Sequence, residues 1–178
     1  DYDVAPDFRE NADELFAEWD GWSLLTEGRP RGWSLWPEAY DSTIRREELC
    51  YFAKEPFTVI SPYFEHPPLL HVVVGVVAKA SGATDWSHVR LMHTRPVPIA
   101  LQAIAMALLL LVARRLYPRG PAPFFALLLY AVIPFIALQG RVIKEETLVI
   151  PLMLTGVLFY LKWRDDGRKA KHLAVAAV

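Results

Sequence analysis

The chain has 178 residues, 53% hydrophobic and only 22% charged, with a formal net charge of −1 at pH 7. That balance is unusual for a soluble domain, and it offers no basic excess for nucleic acid. Cys50 is alone, which excludes an internal disulfide.

The average conceals two different halves. Residues 1 to 65 carry fifteen acidic and six basic side chains, whereas residues 66 to 178 carry five acidic and thirteen basic. Such asymmetry implies different surroundings for the two parts, and the apolar runs of the second identify lipid as one of them. The chain opens on Asp1-Tyr2-Asp3, without an initiating Met or a signal peptide, and ends inside the apolar run His172 to Val178. Both ends therefore read as cut from a longer membrane protein.

Asp7 with Glu10 forms a capping box and Gly28 supplies a stop, which predicts a helix from about Phe8 to Glu27. Its residues Phe8, Ala12, Leu15, Phe16, Trp19 and Trp22 share one stripe, with Asp13 and Asp20 together beside it. Two tryptophans on such a stripe suit a membrane interface, although the same pattern serves a helix packed on a protein core. Gly28 to Tyr63 has no sustained period and is predicted as loop with one short helix, Ser42 to Phe52. Its aromatic residues, Trp33, Trp36, Tyr40, Tyr51, Phe52 and Phe57, argue against disorder.

The stretch Tyr63-Phe64-Glu65-His66-Pro67-Pro68-Leu69-Leu70 marks the change from the acidic segment to the apolar one. Two prolines push His66 toward extended backbone and delay a helix to Pro68 or later. Glu65 and His66 then sit at a helix entrance, where they can bind an anion or move a proton; local chemistry alone favours a Pro-bounded turn with two solvated polar residues. The helix Leu69 to Lys79 is too short to span a bilayer and, with His71 and Lys79, is expected to lie at the surface. Gly82 ends it, and a short loop with Asp85, Trp86 and Arg90 follows.

Val97 to Ala113, Phe124 to Leu138 and Leu148 to Leu161 are long apolar runs, the last extended by Thr147 and by Lys162-Trp163. They predict transmembrane helices over about 97–113, 122–138 and 147–163, with a further span starting at 172. Arg114, Arg115 and Arg119 share one side with Lys162, Arg164, Arg168, Lys169 and Lys171, which should be cytoplasmic. The expected fold class is all-α: a polytopic membrane helical bundle, with residues 1–96 as an extracytoplasmic first loop holding amphipathic interfacial helices. Asp13, Glu65, Arg141, Lys144, Glu145 and Glu146 then face the same membrane surface.

In that order the features resemble the GT-C superfamily of membrane glycosyltransferases, in the branch of protein O-mannosyltransferases, aminoarabinose transferases and RgtA/B/C/D-like enzymes. The resemblance rests on Asp13-Glu14, the Tyr63 to Leu69 element, Val89-Arg90-Leu91, Arg114-Arg115-Leu116-Tyr117, and Arg141 with Glu145-Glu146. It implies transfer of a sugar from a polyprenyl-phosphate carrier to a glycan, lipid or protein acceptor at the outer face of a bacterial or archaeal plasma membrane. By the same resemblance Asp13, with Glu14 as neighbour, is the catalytic carboxylate that takes the acceptor proton. Arg90, Arg141 and His66 are implied as donor-phosphate ligands, and Glu65, Glu145 and Glu146 as further acidic candidates. His66 stands where aminoarabinose transferases have a lysine, and the stretch from Gly28 to Phe57 is longer than that branch leads one to expect.

Each residue also has a purely structural account. Arg90 and Arg141 can anchor helix ends in headgroups, and Glu145 with Glu146 can favour a helix N-terminus. Some relatives in the superfamily bind a divalent ion, but His71, His88 and His93 have no ligand spacing with a carboxylate. They are expected as satisfied or solvent-facing histidines, and no metal site is predicted. The competing function is a non-catalytic subunit of a membrane assembly or transporter. Spans almost free of ionisable residues weigh against transport.

Overall fold

The computed structural model describes residues 8–34, 36, 38, 45–52, 55–64, 66–167, 171 and 174. The chain is mostly helical and divides into two compact units, one of Asp1–Val97 with Val142–Lys144, the other of Pro98–Arg141 with Glu145–Val178.

The first unit opens with α1 (Phe8–Glu27), which Gly28 ends by adopting φ +75°. The segment expected as loop is instead a three-stranded antiparallel sheet of β1 (Gly32–Ser34), β2 (Arg45–Phe52) and β3 (Glu55–Ser61), in the order β1-β3-β2. The predicted helix from Ser42 is thus overturned where it is described. Residues 45–52 pair with β3 through Phe52↔Glu55 and Leu49↔Thr58, with an irregularity between Arg46 and Glu48. The sheet forms because the aromatic pair Tyr51-Phe52 and the aromatic and β-branched run Phe57-Thr58-Val59-Ile60 lie on strands that pair antiparallel.

Of the apolar stripe of α1, the described side chains Phe16, Trp19 and Trp22 are buried by protein. Phe16, Trp19 and Trp22 form a core with Trp33 of β1, Val59 of β3, Trp86 and Ala78 of α2 (Leu69–Ala80). Phe16 stacks on Trp33 with ring centroids 5.0 Å apart, and Trp19 meets Trp86 edge-on at 4.5 Å. The Trp22 indole N–H donates to the Ala83 carbonyl at 3.0 Å. One face of α2 is likewise packed: Leu70, His71, Val74, Gly75 and Ala78 are buried, while Leu69, Val73 and Val76 are exposed. Gly21 and Gly75 explain how closely the two helices cross, since a Cβ on Gly21 would fall on the His71 carbonyl and 2.9 Å from the Gly75 nitrogen.

A 3-10 turn at Trp86–His88 and α3 (Leu91–Thr94) lead to α4 (Pro96–Leu116). In the second unit α4 is followed by α5 (Ala122–Val132), α6 (Pro134–Gln139) and α7 (Glu145–Asp165). The segment Leu91–Leu116 and α7 are long and apolar enough to cross a membrane. The run Phe124 to Leu138, expected as one span, is two short helices. Pro134 supplies no N–H and holds Ile133 extended at φ −65°, ψ 116°, which interrupts the helix there. Within this unit Val112, Leu158 and Leu161 pack together, and the Tyr130 hydroxyl donates to Gln102 Oε1 at 3.2 Å. Phe124, Phe135 and Met153 stay more than half exposed, as a lipid-facing surface permits.

Candidate functional site

The polar chemistry of the first unit gathers on α1. Glu14 and Glu18 lie one turn apart, so their carboxylates project from the same side of the helix. Both are buried, as are Asp20, His71 and Thr94. A buried carboxylate needs a cation and hydrogen-bond donors, and Glu14 has them. Arg95 donates to it through both arms of its guanidinium, Nε to Oε1 at 3.1 Å and Nη2 to Oε2 at 2.9 Å. The Ile143 backbone N–H adds a third donor at 3.2 Å. Residues 14, 95 and 143 are distant in sequence, so this one carboxylate ties α1 to the residue preceding α4 and to the connection preceding α7.

Glu18 is in the opposite electrostatic state. Burial pushes its carboxyl from 4.5 up to about 8, with the Glu14 charge adding to the rise while Thr94 and Arg95 oppose it. At neutral pH Glu18 is therefore protonated, one helical turn from the Arg95-bound Glu14. The Thr94 hydroxyl lies against Glu18 Oε1 and also 3.3 Å from the Leu91 carbonyl, and it has one proton for two acceptors. A protonated Glu18 resolves the competition by donating to Thr94, which then donates to Leu91.

Two residues further along α1, Asp20 Oδ2 stands 3.2 Å from His71 Nδ1 of α2, and neither side chain is exposed. Ser23 completes the row: its hydroxyl donates to the Trp19 carbonyl and accepts from the Arg31 N–H at 2.9 Å. The row can hold charge and protons in a sealed interior and can fix α1 against its neighbours. Glu14, with both oxygens engaged, is suited to positioning.

Of the residues expected from sequence, only Glu14 is seen in this cluster. Asp13 is its neighbour on α1, but the side chain of Asp13 lies outside the described ones, as Glu65 lies outside the described residues. His66 is half-buried in the bend before α2. Arg90 is exposed at the N-terminal cap of α3, and Arg95, five residues on, takes the carboxylate instead. In the second unit Arg141 is exposed after α6, Glu145 is half-buried, and Glu146 is exposed in the first turn of α7. His71, expected as satisfied or solvated, is fully buried against Asp20, whereas His88 is exposed.

Sequence reasoning missed Arg95, Glu18, Thr94 and the Asp20–His71 pair. The signals were the four-residue spacing of Glu14 and Glu18 across an aromatic stripe, and a cation immediately before an apolar run. Among the described residues no group of three His, Cys, Asp or Glu side chains is arranged to hold a metal ion. No family model, curated protein or solved structure matches the chain.

Proposed function

We propose that the chain is part of a membrane-bound glycosyltransferase that takes a sugar from a polyprenyl-phosphate donor and gives it to an acceptor hydroxyl or amine at the outer membrane face. The observation that carries this reading is the anchoring of Glu14 by Arg95 and by the Ile143 N–H. An acidic pair whose second member is clamped in this way has its first member, Asp13, on a backbone that cannot drift. A general base needs that fixed position. The apolar segment Leu91–Leu116 and α7 support a membrane setting.

In this scheme Asp13 removes the proton from the acceptor as its oxygen or nitrogen bonds to the anomeric carbon. The bond from that carbon to the phosphate oxygen breaks, and polyprenyl phosphate leaves with the electron pair. By the sequence resemblance Arg90, Arg141 and His66 remain the candidate donors to the departing phosphate, and Glu65, Glu145 and Glu146 further acidic candidates. Glu14 holds the pair in place.

The test is transfer of radiolabelled sugar from a polyprenyl-phosphate donor by membranes containing the full-length protein. Asp13→Asn keeps the side-chain shape but removes the base, so turnover should fall by about 10²-fold or more while protein level persists. Burial of the whole described acidic row also suits a non-catalytic subunit of a membrane assembly, since no substrate can touch Glu18 or Asp20. Absence of transfer by the wild-type protein with any polyprenyl-phosphate sugar would favour that second reading.

A further inference from the structure

At the far end of α4 the second unit has a cavity of about 450 Å³ in the fork where the chain turns into α5. Its walls are Leu110 and Arg114 from α4, Tyr117 just beyond its end, and Pro123, Phe124 and Leu127 from the start of α5. The turn Pro118-Arg119-Gly120-Pro121 closes the fork, with Gly120 at φ +93°. Leu110, Pro123, Phe124 and Leu127 supply the apolar lining, and the Arg114 guanidinium and the Tyr117 phenol the polar groups.

Among the described residues no acidic group offsets the charge of Arg114. Between Asp85 and Glu145 the sequence contains no acidic residue. Asp165 and Asp166, at the end of α7, are committed to Arg115 at 3.0 and 2.9 Å, and Asp165 also to Arg164 at 2.7 Å. Arg114 has no ion pair among the described residues. The start of α5 adds the positive end of its helix dipole.

We propose that this fork is a binding site for an anionic phospholipid. The phosphodiester is held bidentately by Arg114, with Tyr117 donating a hydrogen bond, and an acyl chain lies along Leu110, Phe124 and Leu127. A cavity of a few hundred Å³ suits a phosphoglycerol headgroup. Charge complementarity decides the occupant: a zwitterionic lipid brings its own cation to an already cationic fork, whereas an anionic one brings the missing negative charge. The inference requires only that α4 enters a membrane, not that the protein transfers sugars.

The experiment places the full-length protein in phosphatidylcholine nanodiscs containing a minor share of dioleoylphosphatidylglycerol and measures retained lipid by native mass spectrometry. Wild-type protein should retain phosphatidylglycerol over phosphatidylcholine. Arg114→Gln should weaken retention about fivefold, the effect of one basic residue near an anionic lipid. Arg114→Lys should weaken it less, and Arg164→Gln, which removes the same charge at an exposed position, less than twofold. Leu127→Trp, which fills the cavity and leaves Arg114 intact, should abolish the preference and provides the test if Arg114→Gln does not fold. Equal losses in Arg114→Gln and Arg164→Gln would mean a diffuse surface charge effect and would overturn the proposal. So would full retention in Leu127→Trp, or equally tight binding of soluble glycerol 3-phosphate, which has no acyl chain.

Discussion

Replacing Glu18 by Gln should make the protein more stable at neutral pH, although the substitution is in the middle of a buried polar row. The folded chain holds Glu18 with a pKa of about 8, while the unfolded chain ionises near 4.5. Between those values the folded state has one more bound proton than the unfolded state, so stability falls as pH rises, by about 1.4 kcal/mol per unit. The contribution is fully present below pH 4.5 and is lost through about pH 8. At pH 7 the accumulated cost is about 3 kcal/mol on this reasoning. Gln has the same shape and is always neutral, so it avoids the cost, and its amide N–H can donate to the Thr94 hydroxyl as the protonated carboxyl does. The extra amide N–H must find an acceptor, which takes back about 1 kcal/mol. Glu18→Gln should therefore gain about 2 kcal/mol at pH 7 and lose about 1 kcal/mol at pH 4.5. Denaturant unfolding of the full chain in detergent at several pH values, followed by the fluorescence of the Trp19, Trp22, Trp33 and Trp86 core, measures this difference. A variant less stable than wild type at pH 7, or a difference that does not grow from pH 5 to 8, would refute the assignment of a protonated Glu18.

Arg95→Gln should cost about 3–5 kcal/mol, because Glu14 is left buried without its cation. The double variant Glu14→Gln with Arg95→Gln should recover most of that loss in the same unfolding assay. Gly75→Ala should destabilise by about 3 kcal/mol or more, since the added methyl would overlap the Gly21 backbone rather than a side chain that can turn away. An expressed Gly75→Ala protein with an unchanged unfolding midpoint would show that the two helices do not cross at these glycines. For topology, a cysteine at position 29 should react with an impermeant maleimide applied to intact cells and one at position 167 should not. Labelling of position 167 from outside would reverse the orientation inferred from the basic clusters.

Several elements could be read directly from the chain. The Asp7-to-Gly28 helix signals predict α1, whose described part runs from Phe8 to Glu27, and the prolines at 67 and 68 predict the start of α2, because caps and proline act on the local backbone whatever surrounds them. Length and apolar composition likewise predict the helices ending at Leu116 and Asp165. Tertiary structure alone decided what α1's stripe packs against. Phe16, Trp19 and Trp22 are satisfied by any apolar surface, so periodicity cannot distinguish a bilayer from Trp33, Val59 and Trp86. The sheet was hidden because a strand is stabilised by its partner, and Gly32 finds Ile60 only across an intervening strand. The same holds for the site. Sequence supplied Glu14 as the neighbour of Asp13 and assigned Arg90 to a phosphate, but that Arg95, 81 residues from Glu14, pairs with its carboxylate was decided by the chain path. Glu18's proton was the least legible of all: ionisation depends on the water that burial removes and on charges brought close by folding, and neither is a property of local sequence.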